Sequence, residues 1–304
     1  MRFSVDAMPR VKALLLAAAI WVPLAGRPAL AGDENLAAPL PDLNTFLGEV
    51  RDRLHTDDYL LDQYTFLEKQ TERQLDSDGH VKSVTTNLYE VYPSPEPGKT
   101  YRKLIERDGK KLTAEELAKE DEKQEAREAK KTAKLYADDP EKRAAAESER
   151  RLKETKTIEE VFQIFEFRIG GREEIHGRSA IVLTFTPREN ADTSSRGGKI
   201  LKKFEGKAWV DEKDRQLVKV EAELTDDLSF GFGILAKLRK GAHAEMLRRK
   251  VNDEIWLPAE ARFVGHGRVF LVRGLHVDTT SEYSDYKKFS VATDSAVTTD
   301  QSNE

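Results

Sequence analysis

The chain has 304 residues, of which 35% are charged and only 38% hydrophobic, with a formal net charge of −5 and no cysteine. That length allows two average domains or one large β-rich domain. The acidic balance argues against a general nucleic-acid binder, which would show a basic excess. Without thiols the fold has to be held by an apolar core rather than by disulfides.

The first residues read as an export signal. Arg2, Arg10 and Lys12 precede the apolar run Ala13 to Gly26, and Ala29-Leu30-Ala31 makes a small-residue cleavage site. The run is short for a membrane span, and Pro23, Arg27 and Pro28 interrupt it. Residues 1–31 are therefore expected to be a cleavable signal peptide. Its removal takes four basic residues and one acidic one, leaving 46 Lys+Arg against 54 Asp+Glu, a net of −8. No cysteine follows to carry a lipid anchor, and no later segment approaches transmembrane length. A periplasmic location follows as the expectation.

Gly32 to Asp42, rich in Ala and Pro, is expected to be a mobile leader. Leu43, Phe46, Leu47, Val50 and Leu54 then recur at spacings of three and four, which predicts a helix from Leu43 to Thr56 with Asp42 as its N-cap. Tyr59 to Leu75 and Val81 to Tyr92 read as strands joined by Asp76-Ser77-Asp78-Gly79. This stretch has a faint likeness to a calcium loop but lacks the glycine in sixth place and the distal Glu, so it reads as a plain turn. Pro93, Pro95 and Pro97 stop the second strand, and Tyr101 to Arg107 resumes the sheet.

Thr113 to Lys156 differs in kind, being mostly Glu, Lys, Arg and Ala. Thr113 with Glu116 is a capping box, and Asp139-Pro140 marks a second helix start. Two solvated helices inserted between strands are expected over 113–156, and a charge run of this kind is more often an exposed face than a docking arm. Val161 to Phe167 reads as a helix-to-strand passage. Gly170-Gly171 and His176-Gly177 then punctuate a hairpin whose second arm, Ser179 to Thr186, is apolar on nearly both faces. Lys199 to Phe204 is one turn of amphipathic helix.

Gly206 to Leu224 (GKAWVDEKDRQLVKVEAEL) carries the clearest strand signal. Val218, Val220, Ala222 and Leu224 alternate with Lys219, Glu221 and Glu223. Asp211, Glu212 and Asp214 in its turn read as surface acids. Leu228 to Leu238, Ala242 to Val251 and Ile255 to Val264 continue the strands. Gly265-His266-Gly267 reads as a turn into Arg268 to Val272, before a last strand from Leu275 to Phe289. About 10–11 strands joined by short turns predict antiparallel pairing, and residues 290–304 read as a disordered tail.

Three segments taken together, Gly206 to Leu224, Asn252 to Phe263 (NDEIWLPAEARF) and Ser281 to Phe289 (SEYSDYKKF), give the chain a family likeness. It resembles the periplasmic outer-membrane lipoprotein-sorting proteins of the LolA/LolB type over residues 43–107 and 158–289. That resemblance implies an α+β, mostly antiparallel fold: a curved incomplete β-barrel covered by helices, with a hydrophobic cavity for acyl chains. It implies one domain over 32–289, from which the charged insertion at 113–156 departs.

Catalytic signatures are missing from the sequence. The six histidines show no metal-ligand spacing and there is no H-E-x-x-H, G-x-S-x-G, S-x-x-K or phosphate loop. No cofactor, metal or enzymatic activity is expected, with a hydrolase as a remote alternative. Strands apolar on both faces fit either a packed core beneath covering helices or a cavity for an acyl chain, and the resemblance implies lipid or an acylated lipoprotein as ligand. Trp209, Phe230, Phe232, Ile234, Leu235, Trp256 and Leu257 are the candidate cavity residues. The alternative is an envelope protein-interaction or sensor module on the same fold, docking through the 113–156 helices.

Overall fold

The computed structural model of the chain describes residues 38–54, 64–76, 78–93, 100–135, 158–193, 195–230, 236–269 and 273–288, with 145, 148 and 156. The expected signal peptide and tail, the second insertion helix apart from 145, 148 and 156, and Phe232, Ile234 and Leu235 lie outside the described residues.

Thirteen strands form one antiparallel sheet. They are β1 (Tyr64–Leu75), β2 (Val81–Pro93), β3 (Thr100–Arg107), β4 (Lys110–Lys111), β5 (Phe165–Ile175), β6 (Arg178–Pro187) and β7 (Phe204–Asp211), followed by β8 (Leu217–Leu224), β9 (Leu228–Phe230), β10 (Ala236–Leu238), β11 (His243–Val251), β12 (Ile255–Val269) and β13 (Arg273–Lys288). Their order is β4-β3-β2-β1-β13-β12-β11-β8-β7-β6-β5, with β10 pairing β12 and β9. The path is open, since β4 and β5 end it without meeting. The final strand thus lies in the middle and joins the N-terminal hairpin to the C-terminal strands.

Helix α1 (Leu43–Leu54) follows from its stripe: Phe46 and Val50 are buried, and Leu43 and Leu47 pack beside them. Asp42 caps it, accepting the Thr45 N–H at 2.9 Å and the Thr45 hydroxyl at 2.8 Å. Those hydrogen bonds hold the Asp42 carboxyl below its usual range. Helix α2 (Ala114–Leu135) starts at the expected capping box, where the Glu116 carboxylate accepts the Thr113 N–H at 2.8 Å. Residues 158–164 are helical and run directly into β5. Helix α3 (Arg196–Leu201) begins at Ser195, whose hydroxyl accepts the Gly198 N–H at 2.8 Å.

The core lies on one face of the C-terminal half of the sheet. Ile181, Leu183 and Phe185 of β6, Ala208 and Val210 of β7, and Ala222 and Leu224 of β8 meet Phe46 and Val50 of α1, Ile164, and Ile200 and Leu201 of α3. We call this covered side the inner face.

Several expectations need correction. Beyond the expected 10–11 strands the described sheet adds short elements, β4 and β9, and keeps the expected fold class. Gly265-His266-Gly267 is no turn: β12 runs straight through, with His266 opposite His276. Gly267 is there because β10 pairs closely against β12 at this point, where a Cβ would lie 2.1 Å from the Lys237 carbonyl oxygen. Gly170-Gly171 likewise sits inside β5, at a register shift against β6, with Gly171 at φ 138°. The leader is tied down near its end, since Arg172 donates to the carbonyls of Ala38 and Pro39.

Candidate functional site

Alternation along each strand and the register across the sheet sort the side chains onto two faces. One row of directly paired residues runs Ile169, Leu183, Ala208, Val220, Met246, Ala261, Ser281, Gln70, Asn87. It lies on the inner face, since Leu183 and Ala208 belong to the core. It is apolar through β12 and polar from β13 onward.

The parallel row one residue away runs Val182, Trp209, Lys219, Leu247, Glu260, Glu282, Lys69. This outer face is laced with ion pairs. Lys219 contacts Glu221 and Glu245, Arg262 pairs with Asp278 at 2.9 Å, and Lys69 with Glu282 at 2.9 Å.

Of the seven candidate cavity residues, Trp209, Trp256 and Leu257 have described side chains, and these three do not share one face. Trp209 is buried at 4% exposure, but on the outer face, in a small cluster with Ala180 and Val182. Its indole N–H donates to Glu173 at 2.8 Å, and the Lys219 ammonium covers its ring at 4.8 Å. Trp256 donates to Asp214 at 3.0 Å, with the Arg178 guanidinium 5.3 Å from its ring. Arg178 alternates with Ala180 and Val182, which puts this group on the outer side as well. Leu257, one residue on, packs the other way with Tyr64 and Ile255. Tyr64 alternates with Phe66 and Glu68, and Glu68 accepts from Ser281 of the inner row at 3.1 Å, so Leu257 is an inner-face residue. Phe230 ends β9, its backbone paired with Ala236.

Sequence reasoning missed two features. The first is on the inner face, where Glu68 is 5% exposed and takes the Arg102 guanidinium at 2.8 Å. Arg102 in turn lies 4.0 Å over the Tyr89 ring. Burial, then the Glu68 charge, pushes the nearby Tyr283 hydroxyl well above its ordinary pKa. A charged residue in a strand is read as solvent-facing by default; only the period-two position of Glu68 beside Tyr64 and Phe66 hinted otherwise.

The second is Asp211, expected at the surface and found 1% exposed. It is buried because Arg178 grips it twice, at 2.6 and 2.9 Å, and because it caps the β7–β8 turn by accepting the N–H groups of Lys213 and Asp214. Asp214 then receives Arg178 and Lys250, both at 2.9 Å. Burial alone would raise the Asp214 pKa, but its hydrogen bonds from Lys250 and Trp256 outweigh that and lower it.

A depression of about 530 Å³ opens beside α1, lined by Glu49, Asp52, Arg53, Lys213 and Arg215. All five of these lining residues are charged, which does not suit an acyl chain. Among the described residues, the half-buried Asp76 and the exposed Asp78 and His80 form one group of metal-ligating type. However, one Asp76 oxygen already accepts the N–H groups of Asp78 and His80, each at 2.9 Å, which is ordinary turn geometry. No helix among the described residues is long and apolar enough to cross a membrane.

No family model matches the chain, and none of the curated proteins does. Among solved structures it is similar to a putative outer membrane lipoprotein-sorting protein domain from Vibrio parahaemolyticus, at 9% identity and TM-score 0.31, over 83% of this chain and 96% of that one. A LolA superfamily protein from Nitrosomonas europaea matches at 11% identity and TM-score 0.24, over 82% and 94%. The Pseudomonas aeruginosa MucA/MucB complex matches at 11% and 0.22, over 80% and 100%. At these scores the fold assignment rests on the sheet order itself.

Proposed function

We propose that the chain is an exported, periplasmic binding protein whose inner sheet face receives an amphiphile, a lipid or the acyl group of a lipoprotein, without catalysing a reaction. The observation that carries this is the inner row, apolar from Ile169 to Ala261 and polar from Ser281 onward. An acyl chain gains about 0.8 kcal/mol for each methylene it buries against such a surface, while a polar head finds partners near Glu68, Arg102 and Tyr89.

The helices pack the β5–β8 part of the inner face, so the proposed ligand strip is the part beyond them. Met246 of β11 and Phe263 of β12 are only half-buried there, with Val220 of β8 half-buried at the border and, like Phe263, packed against the core, and Leu257 lies towards β1. Trp209 and Trp256 have no part in it, because their rings are held on the outer side. Export through residues 1–31 and a single domain over 32–289 belong to the same proposal.

Mass spectrometry of organic extracts from gently purified protein tests the reading. Recovery of phospholipid or acylated peptide supports it. An empty extract, together with no uptake of a fluorescent fatty-acyl probe, would sink it.

A second reading, a protein-interaction module, has one observation in its favour. The first half of α2 is anchored on the outer side of β3, where Asp121 accepts from the Tyr101 hydroxyl at 3.0 Å and from Lys103 at 2.8 Å. Deleting 113–156 would then abolish capture of an envelope partner with the fold intact. Unchanged capture rejects the arm.

A further inference from the structure

We propose that His266 and His276 form a binding site for a divalent transition-metal ion of the zinc, nickel or copper type. They lie directly opposite one another on β12 and β13, with ring centroids 6.1 Å apart and planes within 8° of parallel. The β-carbons of directly opposed residues stand about 4.5–5.5 Å apart. Rotation about the side-chain torsions therefore brings one nitrogen of each imidazole to about 2.0–2.1 Å from a shared ion without backbone movement.

The surroundings keep the pair open. His266 is exposed to solvent and His276 is half-buried. The neighbour of His276 on the same face towards the start of β13 is Gly274, where an added Cβ would stand 3.9 Å from His276 Cε1. The neighbour on the other side, Asp278, is committed to Arg262 at 3.1 and 2.9 Å, so water completes the coordination rather than a carboxylate. Two imidazoles and water suit zinc, nickel or copper and not calcium or magnesium, which require oxygen ligands. Arg268 follows His266 by two residues on the same face and weakens the site electrostatically, which points to reversible uptake rather than a permanently held ion. The bridge would clamp β12 to β13 beside Gly267, the residue at which β10 joins the sheet. This inference is independent of the proposed ligand.

Zinc titration of the chelator-treated full chain by calorimetry tests it, with calcium as the control ion. One zinc per chain is expected. Binding should be weakened about tenfold or more in each of His266→Ala and His276→Ala and unchanged in His80→Ala. Far-UV circular dichroism checks that each variant is folded, and the exposed-site variant His266→Gln repeats the measurement with less loss of volume. No uptake by the parent overturns the site. So does uptake by the folded His266 variants that equals the parent's, and so does a loss confined to His80→Ala, which would move binding to the β1–β2 turn.

Discussion

Asp211 and Arg178 show why one buried carboxylate matters in a sheet whose outer face is otherwise wet. The pair is bidentate, and Asp211 also holds the β7–β8 turn through two backbone N–H groups. Removing Asp211 leaves Arg178, 32% exposed, still paired with Asp214 at 2.9 Å, so what is lost is the charged hydrogen bonding and the turn contacts, about 1.5–3 kcal/mol. Asp211→Ala should lower the unfolding free energy by that amount in urea denaturation, while binding of a fatty-acyl probe to the folded variant is unchanged. The turn position of Asp211 suggested a surface acid; its partner lies on another strand and is invisible to local pattern.

Tyrosines set the alkaline limit. Burial, then the adjacent Glu90 carboxylate, pushes the Tyr92 hydroxyl up to about 12, and burial also raises Tyr283 and Tyr286. An unfolded tyrosine ionises near about 10. Below that pH both states keep the proton and the contribution is fully present. As pH rises from about 10 towards 12 the unfolded chain loses its proton first, so stability falls. Urea midpoints measured from pH 8 upward should be flat with respect to these groups and then decline, with tyrosinate absorbance appearing as the chain unfolds. Tyr92→Phe should make the decline shallower.

Among the elements, glycines divide into those the fold requires and those it tolerates. Gly206 in β7 faces β8 so closely that a Cβ would stand 1.9 Å from the Glu221 carbonyl oxygen. Gly206→Ala should therefore push the strands apart and cost about 1–3 kcal/mol. Gly48, on α1, meets nothing within 4 Å, and Gly48→Ala should stabilise by about 0.5–1 kcal/mol through helix propensity. Thermal melts of the two variants should shift in opposite directions. The same distinction explains the misreading at Gly265-His266-Gly267. Local rules treat paired glycines as punctuation, whereas here one admits the close approach of the paired strand β10, a long-range cause with no local signature. The Thr113–Glu116 capping box and the period-two strands were legible because their causes lie within a few residues. The face of Trp209 was legible in principle, since Ala208 and Val210 alternate with it, but apolar residues on both sides of β6 and β7 hid which face was the core.

At the scale of the molecule, the two faces are chemically distinct: one carries an apolar-to-polar row, the other ion-pair ladders with both described tryptophans sealed beneath cations. The edges are managed as well. β4 is two residues long, and β5 is interrupted by its Gly171 bulge, which makes either a poor template for pairing with a second chain. What is left half-buried is the inner strip around Met246, bordered by Val220 and Phe263 at the edge of the core. The measurement that tests its role most directly is binding of a polarity-sensitive fatty-acyl probe to the parent, Met246→Glu and Trp209→Phe proteins, each checked for folding. The account predicts saturable binding that is abolished by a charge at Met246 and untouched at Trp209. Probe binding that survives Met246→Glu, or that disappears with Trp209→Phe, would contradict it.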